Sequence, residues 1–187
     1  MMRIFRLKSD VGAFSSFIEK YPAGQESIIG RSMAQEWKPF DDSFRAVELV
    51  LRASDDGKKN YQFDISGALG PFFVFSEQAV EVLSEKFLGK YGQFLPVMTP
   101  SKKKKFLGYY PNNPVADCLD LERSQYRTYE YGLVIEKAVL VRSQLPDRDV
   151  FVINEDMKRV FVTERFKEEV ESSGLKGFDF SNEIDVS

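Results

Sequence analysis

Two stretches of this chain switch hydrophobic period in the same way, and that switch limits the available folds more than any other feature. In GPFFVFSEQAVEVLSEKFLGKYGQFLPV the apolar, β-favouring run Phe72–Phe75 gives way at Ser76 to a helical pattern. Ser76 is an N-cap candidate, and Glu77 complements the positive end of the helix dipole. Val80, Leu83, Phe87 and Tyr91 then recur at i, i+3, i+7 and i+11, which predicts one apolar stripe. Gly89 and Gly92 are expected to stop the helix, and Phe94-Leu95 to resume an extended chain. FVTERFKEEVESSGLKGFDF repeats the logic, with Phe161-Val162 as strand, Thr163 as cap, Glu164 in the first turn, and Phe166 and Val170 facing the core. Gly174 suits a left-handed residue after the last turn, from which Leu175 folds back onto Val170. Thr163 lies 87 residues after Ser76. The two units read either as a degenerate internal repeat or as two independent junctions that favour the same residue types.

Around these junctions the pattern is mostly strand. Arg3–Leu7 and Ala46–Leu51 are β-like, as are Lys105–Tyr110, Gly132–Ile135, Lys137–Val141, Asp149–Ile153 and Arg159–Val162. FVINEDMKRVFV reads as a hairpin turning at Asn154–Lys158. Residues 10–29 are ambiguous, with Phe14, Phe17 and Ile18 at helical spacing before Tyr21-Pro22 breaks the pattern, and the Asp56-Gly57 cluster predicts a turn. Strands outnumber helices, which predicts an α+β fold: a mixed or antiparallel sheet carrying a few short helices. No linker composition interrupts residues 1–187, so one domain is expected.

Residue usage removes whole classes of chemistry. The chain has no histidine and one cysteine, Cys118. Ser-His-Asp and Cys-His catalysis, histidine metal sites and thiolate zinc clusters are therefore excluded. A lone cysteine suits a reducing, cytoplasmic compartment, and Cys118 itself reads as a small buried residue. Arg3, Arg6 and Lys8 interrupt each apolar run near the start, so no secretory signal is expected there, and no run is long enough to cross a membrane.

Two clusters deserve weighing as sites. Asp117, Asp120 and Glu122 lie within one short loop, where close carboxylates suit general acid work or a hard metal ion. Their spacing matches no established metal loop, and capping of backbone amides by Asp117 and Asp120 accounts for them equally well. Lys102–Lys105 followed by FLGYY joins cations to aromatics, as single-stranded nucleic-acid sites do, but it stands in a chain of net charge −3. Lysines at a hairpin mouth also protect sheet edges, and nucleic acid is not the expected partner. The segment after Thr163 holds seven acids and three bases, which favours a basic partner.

The order of the motifs adds a resemblance. DIS from Asp64, PFFVFSEQAVEVL from Pro71, QFLP from Gln93, VADCLDLERSQY from Val115 and VFVTERFKEEVESSGLKGFDF from Val160 are together similar to a bacterial immunity-protein family encoded beside polymorphic toxins. They span residues 61–187; residues 1–60 match little beyond Trp37-Lys38-Pro39. The resemblance implies a β-rich α+β fold, cytoplasmic residence and neutralisation of a cognate toxin by direct binding. It also implies scaffold roles for Asp117, Asp120 and Ser124, no catalytic residue and no cofactor. Expected partner-binding residues are Glu168, Glu169 and Glu171, on the face of the second helix opposite Phe166 and Val170, with Asp117, Asp120 and Glu122 as a second acidic patch. The acids would steer a basic toxin while exposed aromatics elsewhere supply affinity. The competing readings are a metal-dependent enzyme built on Asp117, Asp120 and Glu122, and a module binding a small ligand or nucleic acid.

Overall fold

The structure is a computed structural model that describes residues 2–20, 24–53 and 61–187. The expected break at Tyr21-Pro22 and the Asp56-Gly57 turn lie outside the described residues. The fold is α+β and rich in strand. The first part contains β1 (Ile4–Arg6), β2 (Lys8–Ser9), β3 (Phe17–Glu19), α1 (Ile28–Ala34), β4 (Val47–Leu51), β5 (Ile65–Ser66) and β6 (Phe73–Ser76). There follow α2 (Glu77–Leu83), a π-helical turn (Ser84–Leu88), α3 (Gly89–Tyr91), β7 (Gly92–Leu95), β8 (Val97–Met98) and β9 (Phe106–Pro111). The rest comprises β10 (Gln125–Tyr129), β11 (Gly132–Lys137), β12 (Val139–Leu140), β13 (Val150–Ile153), β14 (Asp156–Thr163), α4 (Glu164–Ser172), β15 (Phe178–Asp179) and β16 (Glu183–Val186).

Both period switches fold as their residues dictate. The Ser76 hydroxyl accepts from the Ala79 amide at 3.1 Å, and Thr163 Oγ1 accepts from the Phe166 amide at 3.4 Å. Each hydroxyl also donates, at 2.6 Å, to the aspartate just before the neighbouring strand, Asp64 for Ser76 and Asp149 for Thr163. Gly174 sits at φ +68°. The Leu175 amide reaches the Val170 carbonyl and the Gly174 amide that of Glu171, which completes the expected C-terminal cap.

The correspondence extends to whole sheets. One sheet runs β5-β6-β9-β7 and the other β12-β16-β1-β14-β13. Matching Ser76 with Thr163 pairs β6 with β14, β5 with β13, β9 with β1 and β7 with β16, all antiparallel neighbours in both sheets. Even the amide after each cap has an equivalent acceptor, Glu77 N–H to Lys105 O and Glu164 N–H to Arg3 O. The spacing of 87 residues thus has a counterpart in space, with one difference. The central strand of the second sheet comes from the N-terminus of the chain, whereas β9 follows its own helix. The helices meet where Phe87 and Phe166 pack edge to face at 5.4 Å.

The second sheet is buried on both faces, which explains its nearly continuous apolar strands VFVI and VFV. Val150, Val152, Val160 and Val162 enter the main core with α2, α4 and the first sheet. The alternating residues Phe151, Ile153 and Phe161 enter a second core with Ile4, Cys118, Leu119, Ile135 and Leu140.

Several local expectations need correcting. Residues 10–29 form no helix over Phe14 and Phe17; Phe17–Glu19 is a strand paired with Leu49–Leu51, and the helix begins at Ile28 behind its cap Ser27. Strand pairing overrode a short coincidence of helical spacing. Gly89 does not stop the helix of the first unit, which continues to Tyr91 and ends at Gly92. The π turn inserts a residue at this point, so the buried set is Ala79, Leu83, Phe87 and Leu88 while Val80 and Tyr91 are half-buried. A Cβ at Gly89 would lie 2.7 Å from the Ser84 carbonyl oxygen, which explains why glycine closes that turn. The β13–β14 turn is also tighter than expected, because strand resumes at Asp156.

Candidate functional site

The surface least explained by folding is the β10–β11 hairpin. Its two-residue turn, Glu130-Tyr131, joins strands in which all of Gln125–Tyr129 is exposed. Residues two apart share a face. Leu133 and Ile135 pack toward the second core, opposite Thr128 and Tyr126 across the ladder. The other face carries Arg127, Tyr129, Val134 and Glu136. Tyr129 is 51% exposed, Val134 48% and Tyr131, at the tip, 96%. Of nine exposed large hydrophobic residues among the described ones, five fall between Leu121 and Val134. Such a concentration of aromatic and apolar surface marks an interaction face.

A two-stranded ribbon is marginally stable alone, so its position depends on anchors. Arg159 on β14 pairs with Asp156 at 2.7 Å and donates to the Ile135 carbonyl, which ties β11 to the second sheet. Asp156 in turn accepts from the amides of Lys158 and Arg159. On the other side Trp37, 1% exposed, donates its indole N–H to the carbonyls of Ile153 and Asp156, both at 3.1 Å. Its own amide donates to Tyr110 Oη, whose hydroxyl donates to the Ser32 carbonyl. The β13–β14 turn is therefore held from α1 and β9 at once. At the hairpin's base the Ser124 hydroxyl accepts from the Val139 amide at 2.9 Å, a scaffold role.

Between the hairpin and this turn opens a cleft of about 650 Å³. Tyr129, Tyr131, Val134, Met33 and Met157 give it an apolar wall, and Arg6, Glu155 and Lys158 supply charge. Burial, followed by the charge of Arg159, pushes the Arg6 pKa down, while Asp156 opposes the shift. One oxygen of Glu155, Oε2, is buried without a hydrogen-bond partner.

The residues expected from sequence lie outside this cleft. Asp120 accepts from the amides of Glu122 and Arg123 at 3.1 and 3.0 Å, the capping alternative. Its pKa is held below the ordinary value, first by the Ser187 hydroxyl and then by those amides and Arg123, against desolvation. Asp117 is exposed, with φ +55°, and Glu122 is exposed. Among the described residues no three Cys, Asp or Glu side chains converge as a metal site, so the structure does not bring Asp117, Asp120 and Glu122 together as ligands. Glu168 and Glu171 are exposed on α4, Glu171 3.8 Å from Lys167. Glu169 is half-buried and pairs with Lys86 at 3.1 Å, so it does not stand free as the helical pattern suggested. Lys104 pairs with Asp64 at 3.0 Å beside the first cap. Cys118 is fully buried, and burial, with a smaller contribution from Glu155, pushes its thiol up to about 11.

Strand β11 was legible as Gly132–Ile135 and β1 as Arg3–Leu7, but β10, the pairing of the hairpin and the place of Arg6 in the cleft were missed from sequence. Gln125–Tyr129 mixes polar and aromatic residues on both faces and shows no alternation. The signal present was the two-residue gap between QYRTY and GLVIEK, bounded by Gly132 at φ +122°. Arg6 carries no local signal.

A sequence model of the immunity protein family (Imm11) matches residues 112–184. The resemblance is thus borne out over a stretch that includes VADCLDLERSQY, the whole hairpin and VFVTERFKEEVESSGLKGFDF; DIS, PFFVFSEQAVEVL and QFLP precede it. No curated protein matches the chain. Among the described residues no helix is long and apolar enough to cross a membrane.

Proposed function

We propose that this chain is a cytoplasmic immunity protein that neutralises a cognate bacterial toxin by binding it directly, with the β10–β11 hairpin at the centre of the interface. The observation that carries this reading is the exposed Tyr129, Tyr131 and Val134 on a ribbon inside the family-matched segment. Rigid aromatic side chains at an interface centre supply most binding energy, and charged surroundings set rate and orientation. The acids of α4, with Glu168 and Glu171 exposed, serve as a steering surface. The internal pairing of Glu169 reduces that field and leaves the affinity to the hairpin.

The binding reading fits the residues better than a metal-dependent enzyme does, because the side chains of Asp120 are used for capping and those of Asp117 and Glu122 point to no shared centre. The test is co-expression with any toxin domain that the neighbouring genes encode. The wild-type chain should restore growth, and Tyr129→Ala with Tyr131→Ala should weaken binding by about 2 kcal/mol or more at unchanged thermal stability. Protection that persists undiminished in this double variant would move the interface away from the hairpin. A chain that neither binds nor protects would remove the immunity reading altogether.

A further inference from the structure

The cleft beside the hairpin contains charges that folding leaves uncompensated. Its neighbours on the same strands are paired: Arg3 contacts Glu183 and Glu164, and Arg159 contacts Asp156. The half-buried Arg6 guanidinium has no hydrogen bond or ion pair among the described residues. Lys158, exposed on β14, likewise has no ion pair among them. Both side chains line the 650 Å³ cleft and also an adjoining concavity of about 290 Å³ that reaches Val11, an exposed apolar residue. They therefore stand where two depressions meet. Asp156 cannot neutralise them fully, because Arg159 and two backbone amides occupy it. Glu155 Oε2 faces the opposite shortage, being buried without a donor.

We propose that this cleft seats an acidic, extended segment of the toxin, which places a carboxylate between Arg6 and Lys158 and an apolar side chain against the Tyr129–Tyr131 wall. The inference rests on the immunity reading and adds the chemistry of the partner's docking segment. An extended peptide meets the needs of Arg6 and of the exposed apolar wall at once. Its carboxylate supplies the anion that Arg6 lacks, and a charge-assisted pair with a guanidinium is strong and geometrically selective. An apolar side chain covers aromatic surface already exposed to water. The lowered Arg6 pKa agrees with this geometry, since the charged form is costly there until an anion arrives. A nucleic-acid strand fits less well, because it carries a charge at every residue past Glu155 and Glu130, whereas the peptide places a single carboxylate between Arg6 and Lys158.

The probes are the intact toxin domain against which the chain protects cells and overlapping peptides tiled across it, each acidic peptide also made with Asn and Gln in place of Asp and Glu. Nitrogen-15 NMR spectra of the full chain should show an acidic peptide perturbing the amides of Arg6, Lys158 and Tyr129–Val134, and its neutral version should not. Arg6→Ala should weaken binding of the intact domain about 30-fold, Lys158→Glu several-fold, and Arg6→Lys less than Arg6→Ala. Lys158 is exposed, so its reversal keeps the test valid even if Arg6→Ala lowers stability. Wild-type affinity for the intact domain in both Arg6→Ala and Lys158→Glu overturns the inference while leaving the immunity reading standing. Preference for a basic peptide or an oligonucleotide at these amides also overturns it. Failure of the wild-type chain to bind the intact domain at all removes both readings.

Discussion

Removing the Ser76 hydroxyl tests the structural logic of the repeated frame most directly. From sequence alone the cost is that of an N-cap, about 1 kcal/mol. The structure adds a second loss. Ser76 Oγ is fully buried and donates at 2.6 Å to Asp64 Oδ1, which is itself 3% exposed. A hydrogen bond to a charged group contributes about 1.5–3 kcal/mol. Asp64 keeps Lys104 at 3.0 Å on Oδ1 and the Lys176 amide at 2.7 Å on Oδ2, so the lower end of that range applies. Ser76→Ala should therefore cost about 2.5 kcal/mol. Thr163→Ala should cost less, about 1.5 kcal/mol, because its cap bond is long at 3.4 Å and Asp149 is only half-buried. Urea unfolding with matched m-values gives both figures. A cycle with Asp64→Asn should return a coupling of about 1–2 kcal/mol with Ser76→Ala. Losses that are equal at the two caps, or a loss at Ser76 below about 0.5 kcal/mol, would refute the assignment of the buried aspartate as the cap's second partner.

Trp37→Phe leaves the carbonyls of Ile153 and Asp156 without their shared donor and opens a small cavity where the indole's second ring stood; a loss of about 2–4 kcal/mol is expected, with faster hydrogen exchange in the β13–β14 turn. The Arg3 guanidinium holds the Glu183 carboxyl below its ordinary 4.5, against desolvation. A carboxyl depressed in the folded state stabilises above its unfolded pKa and loses that contribution as pH falls through the folded value. The stability gap between wild type and Arg3→Ala should accordingly close on acidification below pH 4.5, and a gap constant with pH in denaturant titrations would contradict the pairing. Reversal of Glu168, Glu169 and Glu171 to lysine should slow association with the toxin domain several-fold and weaken its salt dependence in stopped-flow measurements; an unchanged rate would make α4 ordinary solvated surface.

What could be read beforehand was what neighbouring residues encode. Ser76, Thr163, Glu77, Glu164 and Gly174 act within a few residues of themselves, and each lies where its local chemistry requires. Asp120 likewise caps the two amides that follow it. The failures share the opposite cause. Phe14, Phe17 and Ile18 imitate a helix over one turn, but pairing with Leu49–Leu51, some thirty residues away in the chain, decides the outcome. Gln125–Tyr129 lacks alternation because neither face is fully buried, and Arg6 and Arg159 owe their roles to strands that meet only in the folded sheet.

The position of β1 bears on how the family-matched segment works. Residues 112–184 supply β13, β14, α4 and part of β16, but β14 and β16 are not neighbours; β1 lies between them and pairs with both. The matched segment therefore holds the hairpin and the edges of a sheet whose central strand comes from residues 4–6. Arg6 is the last residue of that strand, and Trp37, also outside the match, pins the turn beside the cleft. The matched residues present the aromatic ribbon, while the N-terminal part completes the sheet beneath it and supplies the cation at its foot. A surface assembled in this way allows the hairpin to vary in its exposed residues without disturbing either core, since Tyr129, Tyr131 and Val134 bury little that the fold needs. The buried hydroxyls of Ser76 and Thr163 are already satisfied by the duplicated cap-and-aspartate arrangement. The Arg6 guanidinium and the exposed side chains of Tyr129, Tyr131 and Val134 gather on one side of the second sheet, where binding can cover them.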